Sequence, residues 1–323
     1  MKMKNPQQLD FEKQLKRLSE YGIKCEKSHH YINIETLASI GYYDLKRFAF
    51  PFNIAKHKGK ANFKNISFDQ LVTRYYQDKN LRIYILHAIE CIEVYLENTF
   101  AYILGKEYGP FGYLNFSSWC DRKNNERFYI EEQQYFFKKN LLKKMKYASN
   151  PSTTNQKNLR DGFPTVWLMV NTLTLGQLKK YIELASPQNR KNLALFFNVN
   201  NVTLELWIDC LVLVRNICCH NSDLIDIKLK THPKVPKKYT EELYKDSNNR
   251  YSDRIGIVIF IIVSMMNYIN PKYDFGNIYR SFKAIFKKNN KLANQLGFSN
   301  YNSINALPRT RDHKSKKSKP PRT

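Results

Sequence analysis

Within residues 203–227, TLELWIDCLVLVRNICCHNSDLIDI, three side chains have the types that phosphodiester chemistry uses: Arg215, Asn216 and His220. A guanidinium clamps phosphate oxygens with a planar fork of donors, and an imidazole gives and takes protons near neutral pH. On a helix Asn216 and His220 are neighbours one turn apart, so the amide can reach the ring and hold one orientation. Arg215 lies about 140° from His220 around the axis, and only its long side chain brings the guanidinium back toward the same surface. A half-buried helix whose histidine caps or hydrogen-bonds locally explains these residue types equally well.

The element that must hold them is strongly apolar. Trp207, Cys210, Leu211, Val214, Ile217, Cys218 and Leu224 spread over one flank, a core-facing surface. Glu205, Asp209, Asn216, His220 and, if the helix runs on, Asp223 fall within about 40° of a single line. Thr203 is the expected N-cap, with Glu205 in the first turn. The chain holds a second arginine with a histidine five places on, Arg82 and His87, but Ile83 follows that arginine and the pair reads as structural.

Other stretches also follow a period of 3.6. Phe11, Leu15 and Leu18 predict a short leading helix, and residues 35–40 a second one ended by Gly41. The run Tyr42, Tyr43, Phe48, Phe50 and Phe52, with Lys46 and Arg47 between, reads as packing or as a base-stacking surface. Residues 57–64 form a basic connector. A helical pair follows, residues 68–80 and then 81–104, with Gly105 as the stop. Glu90, Glu93 and Glu97 share one face of it, and residue types alone make that a solvated acidic face. A helix is expected over residues 125–146, an exposed mobile loop over 148–164, and a helix after Pro164 that Gly176 breaks. Residues 255–269, IGIVIFIIVSMMNYI, fall short of the roughly 20 that a membrane span needs, and read as a buried core or subunit-interface helix.

A net charge of +25 sets Lys and Arg far above Asp and Glu, and 22 Tyr with 20 Phe accompany it. Such a surface attracts polyanions and offers rings for stacking, which makes RNA the expected partner. Six cysteines without framework spacing fit a reduced cytoplasm. Cys218 and Cys219 point to different parts of a helix surface, so they do not join His220 as metal ligands, and neither a metal nor a cofactor is expected.

The string VRNICCHNSDL resembles the signature of the Abi-like proteins, the abortive-infection family of bacteria, whose members carry a HEPN-type R-x4-6-H ribonuclease motif with a polar residue after the arginine. IGYYDLKRFAFPF (residues 40–52) is similar to the family's tyrosine-rich block, and FPTVWLMVNTLTLGQLKKY (residues 163–181) to its central block. Asn221 stands where a second histidine is expected, and Glu97 where a basic residue is. Every long periodic stretch fits 3.6 and none alternates cleanly over a strand's length, which predicts an all-α fold with an N-terminal helical extension over residues 1–60, a helical core over 61–305 and a disordered basic tail of low complexity over 306–323. The resemblance implies that the core is a HEPN-like helical bundle. It also implies a metal-independent endoribonuclease of phage defence, in which two copies of the Arg215, Asn216 and His220 helix face one cleft in a homodimer. Glu90 or Glu93 would orient the cleft arginine. A non-cleaving RNA-binding protein, or a toxin restrained by a small RNA, are the alternatives.

Overall fold

The computed structural model describes residues 7–55 and 61–310. It is all-α apart from one two-stranded ribbon. The chain divides into two compact units. One holds the residues up to Ile83 together with Asn221–Ile227, and the other holds Tyr84–His220 together with the residues from 228 on. Part of the basic connector (56–60) and the tail from 311 lie outside the described residues.

In the first unit α1 (Phe11–Glu20) buries Leu15 and Leu18, as their spacing requires. Asp10 caps it by accepting from the Lys13 N–H at 2.8 Å. α2 (His30–Ile40) is longer than its sequence signal, and Gly41 at φ +99° separates it from α3 (Tyr42–Arg47). The aromatic run divides its tasks: Phe48 is fully buried, whereas Tyr43 and Phe50 are exposed. Gly22 is obligatory, because a Cβ there would lie 2.3 Å from the Phe63 carbonyl oxygen.

α4 (Phe68–Tyr108) is one helix of 41 residues, not a pair, and its residues up to Ile83 belong to the first unit. Neither glycine nor proline interrupts residues 78–82, so nothing breaks the backbone ladder there. Asp78 and Arg82, one turn apart, are both buried and paired at 2.8 Å. The second Asp78 oxygen accepts from the Leu224 and Ile225 N–H groups, each at 2.8 Å, and Arg82 Nη1 donates to the Asn221 side-chain oxygen at 2.9 Å. Arg47 donates to the Asn221 backbone carbonyl at 3.0 Å, and Arg74 pairs with Asp226. Segment 221–227 is thus held in its unit by side chains from α3 and α4.

In the second unit α4 runs past Gly105 and stops at Gly109, whose φ is +77°. Gly105 serves close approach instead, since a Cβ there would lie 3.2 Å from Val166. After α5 (Phe116–Trp119) comes α6 (Arg127–Met145), which buries Ile130, Gln133, Phe137 and Leu141. The expected loop contains structure: α7 (Pro151–Thr154), then the ribbon β1 (Leu159–Arg160) and β2 (Phe163–Pro164), turned by Asp161 and Gly162 at positive φ. Asp-Gly is a strong two-residue hairpin signal. α8 (Val166–Met169) precedes α9 (Leu175–Leu184), whose capping box joins Thr174 and Gln177. Gly176 therefore lies inside the first turn of α9 rather than breaking a helix. α10 (Pro187–Leu195) and α11 (Asn201–Cys219) follow, the latter capped by Asn200 rather than Thr203.

α12 (Ile255–Ile269) is the apolar run, and it is buried along most of its length. It packs against α11, and its Phe260 ring stacks on Tyr239 at 4.7 Å. α13 (Gly276–Phe286) and α14 (Asn290–Gln295) close the unit around Phe282, Phe286 and Phe298.

Removing one partner of a buried ion pair strands the other in a medium that does not solvate it, a cost of about 3–5 kcal/mol. Arg82→Ala is expected to lose stability in that range in urea unfolding, and a loss below about 1 kcal/mol would contradict the pairing described.

Candidate functional site

α11 is oriented by its apolar flank. Leu204, Trp207, Ile208, Cys210, Leu211, Val214 and Cys218 are buried, against α9, α10 and α12. That burial turns the polar line outward, and its two halves differ. Glu205 pairs with Arg190 at 3.2 Å, and Asp209 with Lys179 of α9 at 2.9 Å. Asn216 and His220 are exposed, and neither side chain has a hydrogen-bond partner among the described residues. The amide does not hold the ring; the link between the two is the His220 backbone N–H donating to the Asn216 carbonyl at 3.0 Å.

His220 is the last residue of the helical arrangement. α11 ends at Cys219, His220 is its C-cap, and Asn221 takes a left-handed backbone at φ +53°. Asparagine tolerates that conformation and stops the helix. Asp223 therefore leaves the polar line: it sits in the first unit, where burial first and then the neighbouring Asp226 charge push its carboxyl up to about 7.

Arg215 is half-buried, and a carboxylate is its neighbour. Burial raises the Glu93 carboxyl, while the Arg215 charge and the Leu175 N–H at the start of α9 pull it down. The three α4 carboxylates are thus not one solvated face. Glu90 is exposed, Glu93 shares its surroundings with Arg215, and Glu97 is 7 % exposed. Burial, then the Glu93 charge, push Glu97 up to about 7, so that it is close to half protonated at neutral pH. The Leu175 contribution had no sequence signal, because a backbone donor carries no residue type.

The second arginine–histidine match is tied into the structure: Arg82 is buried against Asp78, and His87 Nδ1 lies 2.8 Å from the Tyr273 hydroxyl. Among the described residues no three His, Cys, Asp or Glu side chains cluster as metal ligands would, and no helix is long and apolar enough to cross a membrane.

A family model described as Abi-like protein matches residues 35–226, which include Glu93, Arg215, Asn216 and His220. The chain belongs to the Abi-like family. That membership points to a role in abortive infection, the bacterial resistance to phage. No curated protein and no solved structure matches the chain. In this Abi-like chain the residue after His220 is a helix stop, and Glu97 lies one turn beyond the carboxylate that faces the arginine.

Glu97 binds its proton more tightly folded than unfolded. Its contribution to stability is complete below the ordinary value of 4.5 and is lost as pH rises through about 7. Glu97→Gln keeps the shape without the charge. Its stability advantage over the wild type is expected to be near zero at about pH 4 and to reach about 1 kcal/mol or more at about pH 8. Urea midpoints at both pH values measure it, and a pH-independent gap would contradict the burial of a titrating carboxyl.

Proposed function

We propose that this Abi-like protein is a metal-independent endoribonuclease whose site is built from Arg215, Asn216 and His220 on a HEPN-like bundle. The observation that carries the reading is the contrast along α11: Glu205 and Asp209 are consumed by ion pairs, whereas Asn216 and His220 stand exposed and unengaged on the same helix that carries the half-buried Arg215. Residues held outward without a structural partner are free to meet a ligand.

RNA supplies its own nucleophile. His220 takes the 2'-hydroxyl proton, the 2'-oxygen forms a bond to phosphorus, and the bond from phosphorus to the 5'-oxygen breaks as that oxygen takes up a proton. The products are a 2',3'-cyclic phosphate and a 5'-hydroxyl. Arg215 holds the added negative charge of the phosphorane, with Glu93 orienting the guanidinium. Asn216 contacts the substrate or the ring. One imidazole does not serve as base and acid at once, so the second proton transfer falls to the His220 of a second copy, and the working form is a homodimer in the cytoplasm. The net charge of +25 supports RNA as substrate and a small RNA as restraint. The engagement of Asn221 by Arg82 and Arg47 favours a second reading, RNA binding without cleavage, because the position where the family resemblance places another histidine is here a structural node.

His220→Ala is expected to slow RNA cleavage by about a hundredfold or more, and Arg215→Ala by a comparable factor. Folding should be preserved within about 0.5 kcal/mol for His220→Ala, an exposed position. Incubation with total RNA, with and without chelator, and end-group analysis of the fragments test this. Cleavage that survives His220→Ala, or that stops with chelator, would sink the mechanism; RNA bound but never cut by the wild type would select the binding reading.

A further inference from the structure

α6 presents a second surface that the cleavage chemistry does not use. Its buried face is Ile130, Gln133, Phe137 and Leu141. On the opposite side Phe128, Tyr135 and Leu142 recur every seven residues, and Lys139 and Lys146 follow Tyr135 and Leu142 by one turn; these and the exposed Glu132 lie within about 40° of one line, on which the lysines outnumber the carboxylate. The two rings are not core residues that happen to reach the surface: Phe128 is 76 % exposed and Tyr135 60 % exposed, whereas Leu142 lies against the Gly162 turn. Lys139 Nζ stands over the Tyr135 ring, 5.9 Å from its centroid, and the Phe136 ring meets the same tyrosine edge-on at 5.5 Å, so cation and rings lie side by side on this surface. Not every lysine of the helix is available, since Lys144 is turned inward onto the Thr172 carbonyl and Gln177. At the helix start an open cleft of about 870 Å³ is lined by Arg122, Lys123 and Arg127 together with Asp121 and Glu131, and Arg127 is paired with Glu131 at 2.7 Å, which leaves Arg122 and Lys123 as its exposed cations.

Exposed rings of this size on a monomer's surface call for a partner. A second protein chain fits poorly. A helix seam would need apolar residues at the positions one turn on, and these are Glu132, Lys139 and Lys146; lysine is also depleted from the cores of protein interfaces. Rings interleaved with lysines fit a strand whose bases are unpaired: each base offers a π-face to a ring, and each phosphate meets a cation. Duplex RNA hides its base faces in the stack and would use the lysines alone.

We propose that the outward stripe of α6 and its C-cap, Phe128, Tyr135, Lys139 and Lys146, is a stacking track for single-stranded RNA, with Arg122 and Lys123 just before its N-terminal end meeting the continuing backbone. This rests on RNA being the substrate of the α11 site. The track selects unpaired strands, and it is separate from the residues that cut.

The test uses the full chain and a fluorescein-labelled 2'-O-methyl oligouridylate of about 15 nucleotides, which cannot be cut because its 2'-oxygen is blocked, beside a duplex of the same chemistry. The double variant F128A/Y135A is expected to bind the single strand about tenfold or more weakly, with duplex binding changed less than about twofold and the salt slope unchanged. K139A/K146A should instead reduce the single-strand salt slope by about 1.4, or ~0.7 for each phosphate that no longer meets a lysine. Unchanged single-strand affinity in F128A/Y135A overturns the track, as does an equal loss for strand and duplex. A fall in the oligomeric mass of that variant by light scattering overturns it in favour of a second copy of the chain. A wild type that binds neither probe overturns the track and the RNA reading together, whereas wild-type binding that F128A/Y135A leaves intact overturns the track alone.

Discussion

Leu204, Trp207, Leu211, Val214 and Cys218 are buried along one flank of α11, and a helix is rigid at 100° per residue, so that burial also decides where every other side chain of the helix points. Each such side chain, kept from water, contributes about 1.5–3 kcal/mol, far more than an exposed amide or imidazole gains from any one orientation. The polar line therefore does not choose its direction. Asn216 and His220 stand in water because the core on the other side holds the helix there. The site's exposure is a consequence of packing, and its chemistry can vary without disturbing the fold.

Buried charge imposes a second constraint, and α4 meets it in two ways along its length. Burial raises the Asp78 carboxyl, but it is surrounded by donors, two backbone N–H groups and Arg82, which offset part of what its oxygens lose in water. Glu97 is buried and has a carboxylate, Glu93, as its charged neighbour, and both push its carboxyl up to about 7. Protonation of Glu97 reduces the negative charge around Glu93, the carboxylate that shares its surroundings with Arg215.

Much of this is legible in the sequence, and what is not shares a cause. The apolar flank of α11, the leading helix with Leu15 and Leu18, and the buried run at Ile255–Ile269 follow from periodicity, which is local. What periodicity misses is who sits opposite. Lys179 and Arg190 take Asp209 and Glu205 off the candidate surface, and no spacing within α11 announces them. Gly105 looks like a stop because glycine is usually one; here its missing side chain admits Val166. The end of α11 carries a local signal that the apolar period masks. Asn221 is among the residues that adopt a left-handed backbone, which is reason enough for the helix not to continue to Asp223. The Asp161–Gly162 hairpin is likewise a local signal, outweighed by the polar composition around it.

For the proposed RNA substrate, charge and selectivity have to be supplied by different residues. With a net charge of +25, attraction to phosphate acts over the whole surface and does not depend on sequence. Such attraction raises the rate of encounter but gives no preference for one linkage over its neighbour, since every nucleotide carries the same phosphate. Preference has to come from short-range contacts that differ between paired and unpaired strands, and on this chain the exposed groups with that property are aromatic. A 2'-oxygen also reaches the in-line geometry of cleavage more readily in a flexible strand than in a rigid duplex, because the duplex holds that oxygen to one side of its phosphorus. A surface that retains unpaired strands would thus favour the substrates that the proposed paired-histidine mechanism can cleave most readily.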